Sequence, residues 1–148
     1  MAERIRRVVY RSKACETPTE DDLWALLDDA RARNQAVGLT GVLLYDEGAY
    51  LQVLEGRPEA IDRLLASIAC DPRHVDMTIL GDESDRPRLF GDWSMAFIPW
   101  DAETERRMHG LGSFRGLDAL AREAGASSKA AARLFRAMVE TVRARSAA

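Results

Sequence analysis

Residues 4–12 (RIRRVVYRS) alternate around Ile5, Val8, Val9 and Tyr10, which predicts a first strand. Thr17-Pro18 breaks the chain, and Thr19 with Asp22 three residues later resembles a capping box opening a helix. Leu23, Leu26, Leu27, Ala30, Asn34 and Val37 follow at helical spacing, with Gly38 as the stop signal. One member of that stripe, Asn34, is polar. Residues 39–46 (LTGVLLYD) predict a second strand, Glu47-Gly48 a tight hairpin, and residues 50–56 (YLQVLEG) a third strand. Pro58 suits the first turn of a second helix, whose stripe is Ile61, Leu64, Leu65 and Ile68 and which Asp71-Pro72 ends. Residues 75–81 (VDMTILG) and 93–98 (WSMAFI) predict two further strands.

The order strand, helix, strand, strand, helix, strand, strand is the ferredoxin-like βαββαββ plan of an α+β protein. It implies one mixed five-stranded sheet with both helices on one face. After Pro99 the composition changes, dividing the chain into a domain at 1–99 and a helical extension at 100–148. HGLGSFRG (109–116) reads as a loop and 117–124 as a short helix. Ser127 or Ser128 then caps a longer helix with an apolar stripe of Ala131, Leu134, Phe135, Met138 and Val142. Such a tail packs on the sheet face that the first two helices leave bare, or against another subunit, and the stripe suggests a homo-oligomer.

Composition narrows the function classes. The 148 residues are 47% apolar and 30% charged, with a net charge of −3, which argues against nucleic acid as the main partner. No run approaches the roughly 20 apolar residues of a membrane span, and the N-terminus lacks a signal-peptide core, so a cytoplasmic protein is expected. Cys15 and Cys70 form no metal or redox spacing, and two histidines make a zinc site unexpected. The basic cluster Arg4, Arg6, Arg7, Arg11 and Lys13 reads as the solvated edge of the first strand.

Alternation places Val8, Tyr10 and Ser12, then Tyr50, Gln52 and Leu54, then Trp93, Met95 and Phe97 on the face covered by the helices. With Asn34 added, a phenol, two amides and an indole enter the interior, where each unpaired polar group costs on the order of 1–3 kcal/mol. They can satisfy one another, Tyr10 to Gln52 and Asn34 to a backbone carbonyl. They can also line a small-molecule site between apolar walls at Leu26 and Ile68, fitting a flat heteroaromatic ligand. Arg73, in DPRH, reads either as a solvated helix C-terminus or as a donor reaching back to that ligand.

VVYRS, RNQAVGLTGVLLY, YLQVLEG, IACDPRH and FGDWSM, in this order and spacing, resemble the BLUF domain, a blue-light sensor that uses FAD. The resemblance runs from about Arg4 to Phe97 and implies the fold above, with the flavin between the two helices. It implies that Tyr10 donates an electron and then a proton to the excited flavin. It places Gln52 between that tyrosine and the flavin's N5 and O4 edge. Asn34 would hold the pyrimidine end, with Arg73 on the same side, and Leu26 and Ile68 would sandwich the ring. Asp71 and His74 complete the implied cofactor-binding set, while Met95 and Trp93 would respond when the glutamine rearranges. FAD is the implied cofactor, with FMN or riboflavin as alternatives. The chain departs from relatives at Arg33, where histidine or asparagine is frequent, at Ser67 and at Val53.

The function expected is a blue-light photoreceptor of the short kind, itself not an enzyme, since nothing after residue 100 carries a cyclase or phosphodiesterase motif. Its output would pass to a downstream protein partner, not identified by sequence, or to another copy of the chain. Two other readings compete: an acylphosphatase-type hydrolase using Arg73 and Asn34, and a light-silent flavin-binding module.

Overall fold

The computed structural model describes residues 4–84, 87–108 and 127–146; the loop and short helix expected at 109–116 and 117–124 lie outside them. Its elements are β1 (Arg6–Ala14), α1 (Glu20–Val37), β2 (Thr40–Asp46), β3 (Ala49–Gly56), α2 (Pro58–Ala69), β4 (His74–Ser84), β5 (Ala96–Pro99), α3 (Ala102–Met108) and α4 (Ser128–Ser146).

Local chemistry sets most of these boundaries. Thr19 and Asp22 form both bonds of the capping box at the start of α1. Gly38 ends that helix at φ 72, a left-handed conformation in which a side chain is strained. Pro58 occupies the first turn of α2, where its missing N–H costs nothing. At the β2–β3 hairpin, Glu47 and Gly48 take φ 44 and 86, the two positive values a two-residue turn requires. That turn fixes register: Asp46 pairs with Ala49, so Leu43 lies opposite Gln52.

β1 runs antiparallel to the other side of β3, with Tyr10 opposite Gln52. β4 joins β1 antiparallel and β5 joins β2 parallel, giving the order β4-β1-β3-β2-β5. This is the expected mixed ferredoxin-like sheet. Its front face is covered by α1 and α2, which bury Leu26, Leu27, Ala30, Ile61, Leu64 and Ile68 against Val8, Tyr10, Leu43 and Leu54. The back face is covered by α4, whose Ala131, Leu134, Phe135, Met138 and Val142 pack on Val9, Val42, Leu44, Leu51 and Val53. Burying each such Leu, Phe, Met or Val contributes about 1.5–3 kcal/mol, so the tail docks on the sheet. The α4 stripe is therefore occupied within one chain and does not by itself call for a second copy.

Two sequence expectations are corrected. β5 begins at Ala96, so Trp93, Ser94 and Met95 precede the strand. Their carbonyls accept from Gly41 N (3.1 Å), Asn34 Nδ2 (2.7 Å) and Arg31 Nε (2.9 Å) respectively. Strand alternation fails there, and Trp93 packs against the back-face core while Met95 joins the front.

The second correction concerns the basic cluster. β1 is an interior strand, not an edge, and Arg7 is buried. Its Nε lies 3.0 Å from the fully buried Glu55 carboxylate directly across on β3, and its guanidinium sits 5.2 Å from the Phe135 ring of α4. Glu55 also accepts from the backbone of Leu89 (2.7 Å) and Phe90 (2.8 Å). Removing one partner of such a pair strands a buried charge. Arg7→Met should therefore lower unfolding free energy by about 3–5 kcal/mol, measured by urea denaturation. A loss under about 1 kcal/mol, as for an exposed pair, would contradict this.

Candidate functional site

The β1–β3 and β2–β3 registers bring Tyr10, Gln52 and Leu43 side by side on the front of the sheet. A slot opens above them between α1 and α2, lined also by Leu26, Ala30, Arg33, Ile68, Asp71, Arg73 and His74. Its floor is a chain of hydrogen bonds. The Tyr10 hydroxyl donates to Gln52 Oε1, and Gln52 Nε2 donates to Met95 Sδ at 3.4 Å. All three residues are at least 95% buried. Burial pushes the Tyr10 phenol well above the ordinary tyrosine range, so it remains a protonated donor.

Asn34 is fully buried. Its Nδ2 donates to Ser94 O at 2.7 Å, but its Oδ1 has no partner among the described residues. Arg33 Nε is likewise buried and unpartnered. Orphaned buried polar atoms are rare in folded proteins, and each would be satisfied by a ligand carrying the complementary group. Leu26 and Ile68 stand on opposite helices as apolar walls. The residue types present thus suit a flat heteroaromatic group with donors and acceptors along one edge, for which α1 and α2 would have to part, since the slot holds about 20 Å³ as it stands.

The DPRH segment is arranged differently from either simple expectation. Arg73 is held by Asp71, with Nη2 2.7 Å from Oδ2, and lies 3.7 Å from Asp29 of α1. The guanidinium holds the Asp71 carboxyl below the usual carboxylate range. Arg73 therefore stands at the slot's rim, half exposed, clamped rather than reaching inward. His74 Nδ1 is hydrogen-bonded to Ser12 Oγ at 2.9 Å, and its ring is 4.9 Å from that of Tyr50. Desolvation lowers the His74 pKa, so it is neutral near pH 7.

Of the residues picked from sequence, Tyr10, Gln52, Leu26, Ile68, Asp71, Arg73 and His74 line the slot, Met95 closes its hydrogen-bond chain, and Asn34 presents an orphaned oxygen. Asn34, Met95 and Trp93 are not among the slot's lining residues; Trp93 is half-buried and lies with Met95 beside Trp24, Arg31 and Phe97 in a shallow groove. Sequence reasoning missed Leu43 and Ala30 as lining residues. Leu43 could have been found by counting back from the Glu47-Gly48 turn, and Ala30 by its place one turn after Leu26.

Comparisons with known proteins agree with this fold. The family described as sensors of blue-light using FAD, BLUF, matches residues 5–96. The chain is 37% identical over 106 residues to photoactivated adenylate cyclase subunit beta of Euglena gracilis, covering 70% of this chain but only 12% of that protein. Among solved structures it is similar to BlrB, a BLUF protein in its dark state, with TM-score 0.74 and 27% identity. That match covers 94% of this chain and 98% of BlrB. It is also similar to BlsA in its photo-activated state, with TM-score 0.67, 32% identity and coverage of 73% and 79%.

His74 gives the site a pH signature. A half-buried histidine kept neutral by desolvation binds protons more weakly folded than unfolded. Its contribution to stability is therefore full above the unfolded value of about 6.5 and is lost as pH falls below it. Urea denaturation of the wild type should weaken relative to His74→Gln as pH drops from about 7.5 to 5. A constant difference between the two would contradict a desolvated neutral imidazole.

Proposed function

Because the chain belongs to the BLUF family, the sensors of blue light using FAD, we propose that it is a blue-light photoreceptor switched at Tyr10 and Gln52. The observation that carries the reading is the buried Tyr10–Gln52–Met95 chain beneath a slot between α1 and α2, with the buried Asn34 Oδ1 of α1 left without a partner among the described residues. Asn34 Oδ1 would accept from the ring's imide N–H, Leu26 and Ile68 would hold its two faces, and Gln52 would meet its edge. Arg73, Asp71 and His74 would close the rim. FAD is the flavin proposed.

A bound flavin supplies absorption of blue light and an excited state able to take up an electron. The protein's part is geometry and proton management. Tyr10 is a buried, oxidisable phenol, and losing an electron makes its hydroxyl proton strongly acidic. That proton is already directed at Gln52 Oε1. The amide is a suitable switch because one end only accepts and the other only donates. Reversing its ends, or shifting a proton onto its oxygen, replaces the bond to Met95 Sδ and changes what Gln52 offers to the slot.

Residues 1–99 are the proposed sensor and 100–148 the output extension. Photoactivated adenylate cyclase subunits place a stretch like this one within a much larger protein. Here the proposed output passes through α4 to a partner protein or a second copy, and the domain itself performs no catalysis. A hydrolase built on Arg73 and Asn34 is not favoured. Arg73 is clamped by Asp71, and Asn34 Nδ2 is bonded to Ser94 O, so neither converges on a common phosphate.

The test is a light-minus-dark absorption spectrum of the full chain loaded with FAD. Blue light should shift the flavin bands reversibly to the red. Tyr10→Phe should keep the flavin and lose the normal photocycle, and Gln52→Leu should lose the red shift. An unshifted wild-type spectrum would overturn the proposal, leaving a light-silent binding module.

A further inference from the structure

Residues 93–95 precede the β5 ladder, so their three carbonyls are held one by one. Trp93 O accepts from the buried backbone N–H of Gly41, and Ser94 O accepts from the amide of the fully buried Asn34. The core fixes both of those donors. Met95 O accepts from Arg31 Nε at 2.9 Å, and this donor is of another kind. Arg31 is half-buried on α1, outside the slot, and lines an open groove of about 340 Å³ with Trp24, Trp93 and Phe97. Of the three donors it is the one that water can reach and replace.

Met95 is held at two points. Its carbonyl meets Arg31, and its Sδ receives Gln52 Nε2 at 3.4 Å. A thioether is a weak acceptor on a side chain with three rotatable bonds. Sδ therefore stays before the amide only while its own backbone is fixed. Arginine Nε–H is a directional donor in a rigid plane, and its charge makes the bond to a carbonyl stronger than a neutral one. Among the described residues, that bond is the only one the Arg31 side chain makes, so nothing competes for it.

We infer that Arg31 is a positioning residue for the Gln52 switch. Its bond to Met95 O holds Sδ opposite the amide in the dark, and the bond is given up when the amide exchanges its partner. The inference rests on the proposed light-driven exchange at Gln52, and it adds a residue that touches neither Gln52 nor the slot. Because the bond stabilises only the dark arrangement, removing it favours the lit one by that amount. Return to the dark must restore the place of Met95, and it slows accordingly.

The experiment compares the full chain loaded with FAD as wild type, Arg31→Leu and Arg31→Lys. One readout is the recovery of the flavin absorption in the dark after a blue pulse. The other is the Met95 methyl signal of 13C-methyl-methionine protein kept in the dark, assigned through Met95→Leu. Arg31→Leu should lengthen the lit-state lifetime about 3- to 30-fold, the size of one charge-assisted hydrogen bond at a site open to water. Its Met95 signal should broaden or split, whereas wild type shows one line. Arg31→Lys keeps the charge but loses the planar donor, and should fall between the two. The half-buried helical position accepts either residue, since Leu, Lys and Arg have similar helix propensity.

A wild-type lifetime in Arg31→Leu would overturn the inference. So would a shorter one, which would assign the bond to the lit arrangement. Lower stability towards urea with an unchanged lifetime and an unchanged Met95 signal would leave Arg31 a purely structural role and overturn it as well. Wild type without a red shift would instead overturn the photoreceptor reading beneath it.

Discussion

Strand β1 meets β3 with Arg7 across from Glu55 and Tyr10 across from Gln52, and both faces of the sheet depend on that register. Side chains alternate, so a one-residue slip would send Arg7 to the front and Tyr10 to the back. Hydrophobic matching alone holds this register weakly, because β3 is buried on both faces and reads as a nearly continuous apolar run. The Arg7–Glu55 pair supplies the missing discrimination. A slipped register would leave a charge buried without its partner, at a cost several times that of misplacing one methyl group. The back-face ion pair thus positions the front-face phenol and amide.

Glu55 does more than answer Arg7. Its carboxylate also takes the backbone N–H groups of Leu89 and Phe90, and Arg88 bonds Thr40 and the carbonyl of Gly38 at the end of α1. The segment leading to Met95 is therefore anchored from behind the sheet. Met95 Sδ, a weak acceptor, would hold the Gln52 amide poorly by itself. What it has is a fixed position, set by carbonyl bonds from Arg31 and Asn34 and by the anchored loop before it.

Much of this was legible in the chain because local chemistry wrote it. The capping box, the Gly38 stop, the Pro58 start and the Glu47-Gly48 turn each act within a few residues. The inward face of β3 followed from counting by two. What escaped was made by distant partners. Arg7 looked like part of a solvated cluster because Glu55 is 48 residues away. Helix α3 passed unread because its cap, Asp101, is also held by Arg145 of α4, 44 residues on. WSMAFI alternates as a strand should, yet its first three residues bond to α1 and to Gly41 in place of a ladder. Periodicity reports which side chains are apolar, not where backbone hydrogen bonds go. Of the site, Tyr10, Gln52 and Asn34 stood out as polar residues in apolar stripes.

The irregular start of β5 has a consequence for the proposed output. Within three residues the chain passes from Trp93, packed on the back-face core with α4, to Met95, bonded to Gln52 on the front. A regular strand would have placed both on one face and insulated the two cores from each other. Here any exchange of the Gln52–Met95 bond acts on one end of a short segment whose other end lies among the residues that seat α4. Packed cores respond to such a displacement by changing arrangement rather than by deforming smoothly. A weak bond is an advantage in that position. A sulfur acceptor is given up easily, so exchanging the Gln52–Met95 bond costs little.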